Sequence, residues 1–466
     1  MTKGSNSRAR RAVTRLGATG TAVIVLGAAA GAGSAGAATR VPASSSPVTI
    51  KIAVVSNPDM ETIEALTPYF EKQNPGIKVV YDTLPENSER QLIETDITTH
   101  ANEFNAVMIS NYETPIWAHN GWLVNLSAYT AHDPSYDVND LLKPIRDALS
   151  VNGQLYSVPF YGESSAVYYR KDLFAAAHLK MPLHPTWAQI ASFAQKLNNP
   201  AKGVAGICLR GQNGWGENLA ALDTVINTWG GEWFNMKWQP QLTSPAVESA
   251  TNFYVNLVRK YGEPGASNDG FTECLNDYNA GKAAMWYDAT VAAGSFTGAQ
   301  NDAKGSIFAN TGYAYAPVGP AHIPSGWLYT WSLSIPSGTA NEAATWKFLS
   351  WATSKQYEQL DASKNGWAAV PPGTRMSLYN NPNYKKFAFA NITLHSILSA
   401  NPDQPTKAKV PYVGVQFVDI PQFVALGTEV SNQISAAIAG TESVKAALAT
   451  SESDAQTVAR TSGLEK

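Results

Sequence analysis

TIKIAVVSNPDMETIEALTPYFEKQNPGIKVVY, residues 49–81, decides the fold class. Its first seven residues are apolar apart from Thr49 and Lys51, the pattern of a buried strand. Asn57, Pro58 and Asp59 then form a loop, and Ile63, Leu66 and Phe70 recur at helical spacing. Pro68 falls inside that helical pattern and predicts a kink or a shifted start. Pro75-Gly76 stops the helix, and residues 77–81 return as a strand. The stretch is one β-α-β unit.

The alternation continues outward. Residues 88–101 read as a helix, 104–109 as a strand, and the segment after Thr114 as a helix again. Asn152-Gly153 is a type I′ turn signal joining 149–151 to 155–157 as a hairpin. An extended, aromatic stretch over 159–170 leads into a second alternating region. There Thr186 and Gln189 form a capping box, 204–209 reads as a strand, and Ser244-Pro245 opens a helix. Residues 271–280 read as a helix stopped by Gly281, with a strand over 283–287 behind it. Thr339 and Glu342 box a later helix, and the last third is mostly helical. This pattern predicts an α/β protein with mainly parallel sheets covered on both faces. Ligands of such sheets bind beyond the carboxyl ends of the strands. Asn57 and Glu113 follow strands of the first region, and Asp288 follows the strand over 283–287.

The 466 residues suffice for two domains, and 44% hydrophobic against 15% charged residues marks a globular chain. A formal net charge of -3 provides no broad field for nucleic acid or an anionic membrane, so no nucleic-acid partner is expected. Thirteen Trp and 20 Tyr suit a hydroxylated ligand, whose C–H patches lie beside O–H groups. No metal-ligand spacing occurs among the seven His, and no P-loop, nucleophile elbow or HExxH motif is present. Neither a cofactor nor a metal is therefore expected.

Residues 1–38 read as a signal peptide. Arg8, Arg10, Arg11 and Arg15 form a basic start, 21–30 a short apolar core, and Ala35-Gly36-Ala37 a cleavage site. Residues 39–47, rich in Pro and Ser, follow as a flexible lead-in. The expected location is periplasmic or extracellular, at the cell surface, without a lipid-bearing Cys, because Cys208 and Cys274 are the two cysteines and both lie far downstream. In an oxidising compartment these two are expected to pair.

Several runs carry a family resemblance. VSNPDM (residues 55–60) and FEKQNPGI (70–77) resemble the start of extracellular solute-binding proteins of sugar ABC transporters. PFYGESS (159–165), GICLRG (206–211), GWGEN (214–218), AMWYDATVAAG (284–294) and VPPGTR (370–375) resemble the sorbitol- and mannitol-binding members. The resemblance implies two α/β lobes joined by crossing segments, a ligand held in the cleft between them, and closure about the hinge. It implies a monomer that hands its ligand to the permease subunits of an ABC transporter. It implies lobe I from 48–156 plus 290–352, lobe II from 157–289 plus 353–445, and a tail over 446–466. The chain is expected to leave lobe I near Tyr156, return near Ala289 and cross again near Trp351. The punctuation at Gly319-Pro320 and Pro324-Ser325-Gly326 departs from the family and is expected to reshape one wall of the cleft.

A hexitol carries a hydroxyl on every carbon, and each one stripped of water needs a partner or costs about 1–3 kcal/mol. Carboxylates, amides and guanidinium groups supply such partners, and indole rings cover the carbon chain. The candidate ligand-binding residues are accordingly Asn57, Glu113, Tyr161, Glu163, Trp215, Glu217, Trp286, Asp288, Trp331 and Arg375. Each has a plainer role open to it: Asn57 and Asp288 as helix caps, Glu113 at a helix start, Trp286 and Trp331 in the core, Arg375 in an ion pair. Rival functions are capture of a disaccharide, pentitol or oligosaccharide, a structural surface role, and glycoside hydrolysis by a carboxyl pair drawn from Glu163, Glu217 and Asp288.

Overall fold

The computed structural model describes residues 47–301 and 303–465; the expected signal peptide and the lead-in up to residue 46 lie outside the described residues. Strand β1 (Val48–Val55) and strand β2 (Ile77–Leu84) pair in parallel, Val48 opposite Ile77 and Val55 opposite Leu84. Helix α1 (Pro58–Gln73) connects them and buries Met60, Ile63, Leu66, Thr67 and Phe70 against the sheet side. Its start is set by Asn57, whose side chain accepts a hydrogen bond from the Met60 N–H at 3.0 Å. The helix starts at Pro58 and runs on through Pro68, so its start is not shifted; the buried face continues on either side of Pro68.

Eight more strands follow: β3 (Ala106–Ser110), β4 (Ser150–Val151), β5 (Gln154–Leu155), β6 (Val158–Glu163), β7 (Ser165–Arg170), β8 (Met285–Ala289), β9 (Thr311–Tyr315) and β10 (Tyr329–Ser334). They build a five-stranded sheet in the order β2-β1-β3-β10-β6 and a three-stranded sheet in the order β8-β7-β9. Each sheet anchors one lobe of a two-lobed α/β protein. Parallel pairing is confined to β2-β1-β3. Strands β10 and β6 add antiparallel, and the small sheet is antiparallel throughout. Residues 204–209 are not a strand; they lie beside β8 through two isolated parallel bridges, Ala205 to Ala283 and Cys208 to Trp286. The β4–β5 hairpin turns at Asn152 and Gly153 with φ of 52° and 74°, the left-handed pair that a type I′ turn requires.

Sheet membership moves the lobe boundaries expected from sequence. Strand β6, placed in lobe II, belongs to the large sheet, and the chain crosses at Ser164, between β6 and β7. There the Thr290 N–H donates to the Ser164 carbonyl at 2.7 Å. Strand β9, placed in lobe I, pairs with β7, so the return crossing is the segment between β9 and β10 rather than the region of Ala289. The boundary near Tyr156 was implied by the resemblance, whereas crossing in this chain is decided by which sheet accepts the next strand. The expected C-terminal tail is helix Val444–Thr461, which lays Ala447, Leu448, Ser451, Ala455 and Ala459 on helix Phe423–Ala439. Small residues four apart let two helices approach closely. Thr339 does not box a helix; it binds the Phe104 carbonyl, and Asn341 stands at the helix start.

Cys208 and Cys274 form a disulfide with Cα atoms 5.7 Å apart. It ties the segment beside β8 to helix Phe271–Asn279, both of which border the cleft. A link closing 66 residues stabilises a domain by roughly 2–4 kcal/mol.

Candidate functional site

A cavity of about 400 Å³ lies between the two sheets, within the range of small-ligand sites. The carboxyl ends of β1 and β2 open onto it, as parallel strands dictate. Asn57 follows β1, and Glu86 and Asn87 follow β2 at the start of helix α2 (Glu86–Thr99). Tyr161 and Glu163 reach it from β6, Tyr329 and Trp331 from β10. The opposite wall is Arg210, Trp215, Glu217, Phe271, Trp327 and Gln416.

Six of the ten sequence candidates line this cavity: Asn57, Tyr161, Glu163, Trp215, Glu217 and Trp331. Asn57 caps α1 and lines the cavity at once, because its amide divides the tasks: Oδ1 accepts from Met60, and Nδ2 donates to the Tyr161 hydroxyl at 3.0 Å. The other four lie elsewhere. Glu113 accepts from Arg90 Nη1 at 2.6 Å and from the Ser110 N–H at 2.9 Å, which occupies its carboxylate below the floor of the site. Trp286 is fully buried and donates to Asp288 at 3.1 Å. Asp288 lies inside β8, since the strand runs past the expected end, and grips Arg210 in a two-pronged pair at 2.9 and 2.6 Å. Alternation puts Tyr287 on the other face, and it too is buried, its hydroxyl held by Thr224 and Ser165. Arg375 donates to the Thr353 carbonyl twice at 3.0 Å and packs on the Tyr136 ring, fastening the segment around 353–375 to the loop around 136–142.

Arg210, missed as a site residue although it stands in a quoted run, holds the centre of the far wall. Its Nη1 donates to the Gly216 carbonyl at 2.8 Å and lies 3.6 Å from Glu217. Burial works against its charge, and Asp288, then Glu217, outweigh that cost. Burial pushes Glu217 up to about 8, with Glu86 adding repulsion and Arg210 relieving part of it. Glu163 is raised well above the carboxylate range, by burial first; Arg210 offsets part of this and Asp288 adds to it. A carboxyl that keeps its proton, as Glu217 does up to about 8, offers a donor and an acceptor on one side chain, the same pair that an alcohol presents. Three of the lining residues also carry a buried polar atom without a hydrogen-bond partner among the described residues: Trp215 Nε1, Trp327 Nε1 and Gln416 Oε1. Unpaired buried donors and acceptors are uncommon in folded proteins. Trp327 comes from the irregular β9–β10 connection.

The mouth is held shut by contacts between the lobes. Asn87 Nδ2 donates to the Asn213 carbonyl at 3.1 Å, and the Arg90 guanidinium stacks over the Trp215 ring at 4.2 Å and the Trp331 ring at 4.6 Å. Glu86 sits so close to Gly216 that a Cβ there would meet Oε1 at 2.0 Å. Glu86 and Asn87 could have been found by the strand-end rule that located Asn57. Trp327, Tyr329 and Gln416 carry no comparable local signal.

The profile of the bacterial extracellular solute-binding protein family matches residues 55–359. The chain belongs to the bacterial extracellular solute-binding proteins. This solute-binding protein is 44% identical to a mannitol-binding protein of Pseudomonas aeruginosa over 404 residues, covering 87% of this chain and 91% of the relative. A solute-binding protein of an ABC transporter from Agrobacterium vitis, solved with bound D-mannitol, superposes with a TM-score of 0.86 at 46% identity, over 89% of this chain and 99% of the other. A ribitol complex from Agrobacterium radiobacter shares the fold, with a TM-score of 0.77 at 22% identity over 89% of this chain and 99% of the other.

Proposed function

We propose that this solute-binding protein captures a hexitol of the mannitol or sorbitol type outside the cytoplasmic membrane and delivers it to the permease of an ABC importer. The observation that carries the reading is one cavity lined together by Asn57, Glu163, Arg210, Trp215, Glu217 and Gln416, with Glu163 and Glu217 in raised-pKa settings. Amide, carboxyl and indole groups around one cavity match a neutral, many-hydroxyl guest. Arg210, the one cationic residue of the described lining, is already paired with Asp288, which disfavours an anionic one. The relatives that bind mannitol support the same ligand class. Asn57, Tyr161, Glu163, Trp215, Glu217 and Trp331, joined by Arg210, Trp327 and Gln416, are the proposed ligand contacts. Glu113, Asp288 and Arg375 act behind them by holding Arg90, Arg210 and the crossing segments. The ligand favours the closed form because it touches both lobes there and one in the open form. Function is capture and release, with no bond made or broken in the ligand.

A thermal-shift panel of mannitol, sorbitol, arabitol and maltose tests this. Ligand linkage predicts a melting temperature that rises with mannitol or sorbitol concentration, and mannitol recovered unchanged after incubation. A clear shift with maltose and none with any polyol would overturn the hexitol assignment.

A further inference from the structure

The turn that joins β3 to helix α3 (Glu113–His119) belongs to the first lobe and is not part of the cavity lining, yet it reaches the second lobe. Ser110 holds the turn together: its hydroxyl accepts from the Tyr112 N–H at 3.0 Å and donates to the Glu113 carboxylate. Tyr112, 2% exposed, places its ring among Trp215, Phe417 and Phe423, with centroids 5.2, 5.3 and 6.0 Å away. Its hydroxyl donates to the Ile420 carbonyl at 2.9 Å. These partners stand on the second lobe. Helix Ala220–Thr228 is bound to β8 through Thr224 and the Tyr287 hydroxyl at 2.8 Å, and its Asn227 Nδ2 donates to the Val415 carbonyl at 2.7 Å. Glu113 reaches the same indole by a second route. It accepts from Arg90 at 2.6 Å, and the Arg90 guanidinium covers the Trp215 ring at 4.2 Å. One turn of the first lobe thus grips, directly and through Arg90, an indole of the second lobe that lines the cavity.

We propose that Tyr112 is a positioning residue for ligand capture: its side chain enters the second lobe when the lobes close and sets the Trp215 indole against the bound hexitol. The inference rests on the hexitol reading and adds to it a residue that touches no ligand. The ring and hydroxyl leave water on closure and return to it on opening, so what they contribute goes to the closed form. The Ile420 carbonyl also accepts from the Phe423 N–H at 2.9 Å, so loss of the phenol hydroxyl removes one bond and leaves no orphaned acceptor. Loss of the ring removes the aromatic packing on Trp215 as well. Because Tyr112 acts after the ligand has entered, its removal speeds dissociation and leaves association as it was.

Calorimetry and stopped-flow tryptophan fluorescence on the full chain with mannitol test this. Tyr112→Phe should weaken mannitol about fivefold, the whole effect lying in the dissociation rate. Tyr112→Leu should weaken it roughly thirtyfold or more. Each variant should weaken every polyol that the wild type binds by the same factor, since Tyr112 meets no ligand atom. The ligand-free melting temperature of Tyr112→Phe should stay at the wild-type value while the rise produced by mannitol shrinks. An equal fall in the ligand-free and mannitol-bound melting temperatures would make Tyr112 a structural residue of both forms and overturn the inference. Unchanged mannitol affinity in Tyr112→Leu, or a loss carried by the association rate, would overturn it too. Failure of the wild type to bind mannitol would overturn the hexitol reading and the inference with it.

Discussion

Each lobe buries an arginine between carboxylates near the cleft, and the two are used differently. In the first lobe Arg90 donates to Glu86 and Glu113, and its flat face is covered by Trp215 and Trp331. In the second lobe Arg210 is clamped by Asp288, with Glu217 nearby, and lines the cavity. Arg90 is thus satisfied by protein on every side and works as a latch between lobes. Arg210 has a protein partner on each nitrogen as well, yet it lines the cavity, where Arg90 does not. Position relative to the cavity, rather than pairing, separates the two, because a buried guanidinium has to be paired in either role.

Breaking the ligand-side arginine should have the largest effect. Arg210→Met leaves Asp288 buried without its counter-ion, a loss of about 3–5 kcal/mol, and should weaken mannitol binding more than a hundredfold. Adding Asp288→Asn should restore much of the melting temperature and none of the affinity, measured by calorimetry and thermal melting on both variants. Recovery of affinity in the double variant would show Arg210 to be structural, like Arg375.

Gly216→Ala attacks the latch side instead. The added Cβ meets Glu86 Oε1 only where the lobes approach, so mannitol affinity should fall between tenfold and a hundredfold. The ligand-free melting temperature should change little, and small-angle scattering should show less compaction with saturating mannitol. Unchanged affinity would mean that the Glu86–Gly216 approach does not limit closure.

The smallest effect sharpens the comparison through pH. Glu217 holds its proton up to about 8 in the folded chain, against an ordinary 4.5. The folded state therefore binds more protons than the unfolded state between these values, and stability falls as pH rises through that window. The melting temperature of the ligand-free protein should decline from about pH 5 to pH 8, and Glu217→Gln should flatten the slope. Asp59 and Glu263, also raised to about 8 by burial, leave a residual slope in that variant. An unaltered slope would show that Glu217 is ionised throughout.

Much of the first lobe was legible in residues 49–81, because a β-α-β unit is written in local periodicity and in the stops at Asn57 and Pro75-Gly76. The strand-end rule correctly brought Asn57 to the cavity and, carried one strand further, would have brought Glu86 and Asn87. The same rule misplaced Glu113, whose carboxylate is claimed by an arginine on a neighbouring helix. It misplaced Asp288 as well, where two more residues of strand turned a rim position into a buried clamp on Arg210.

Sequence by itself determined the α/β class, the hairpin, most helix starts and the cysteine pairing, since each depends on near neighbours or on residue type. Tertiary structure alone decided which sheet accepts β6 and β9, which carboxylates are spent on arginines, and which polar atoms of the lining residues are left unpaired. These outcomes depend on contacts between segments far apart in the chain, 239 residues between Arg90 and Tyr329, where packing chooses the partner and no local pattern records the choice.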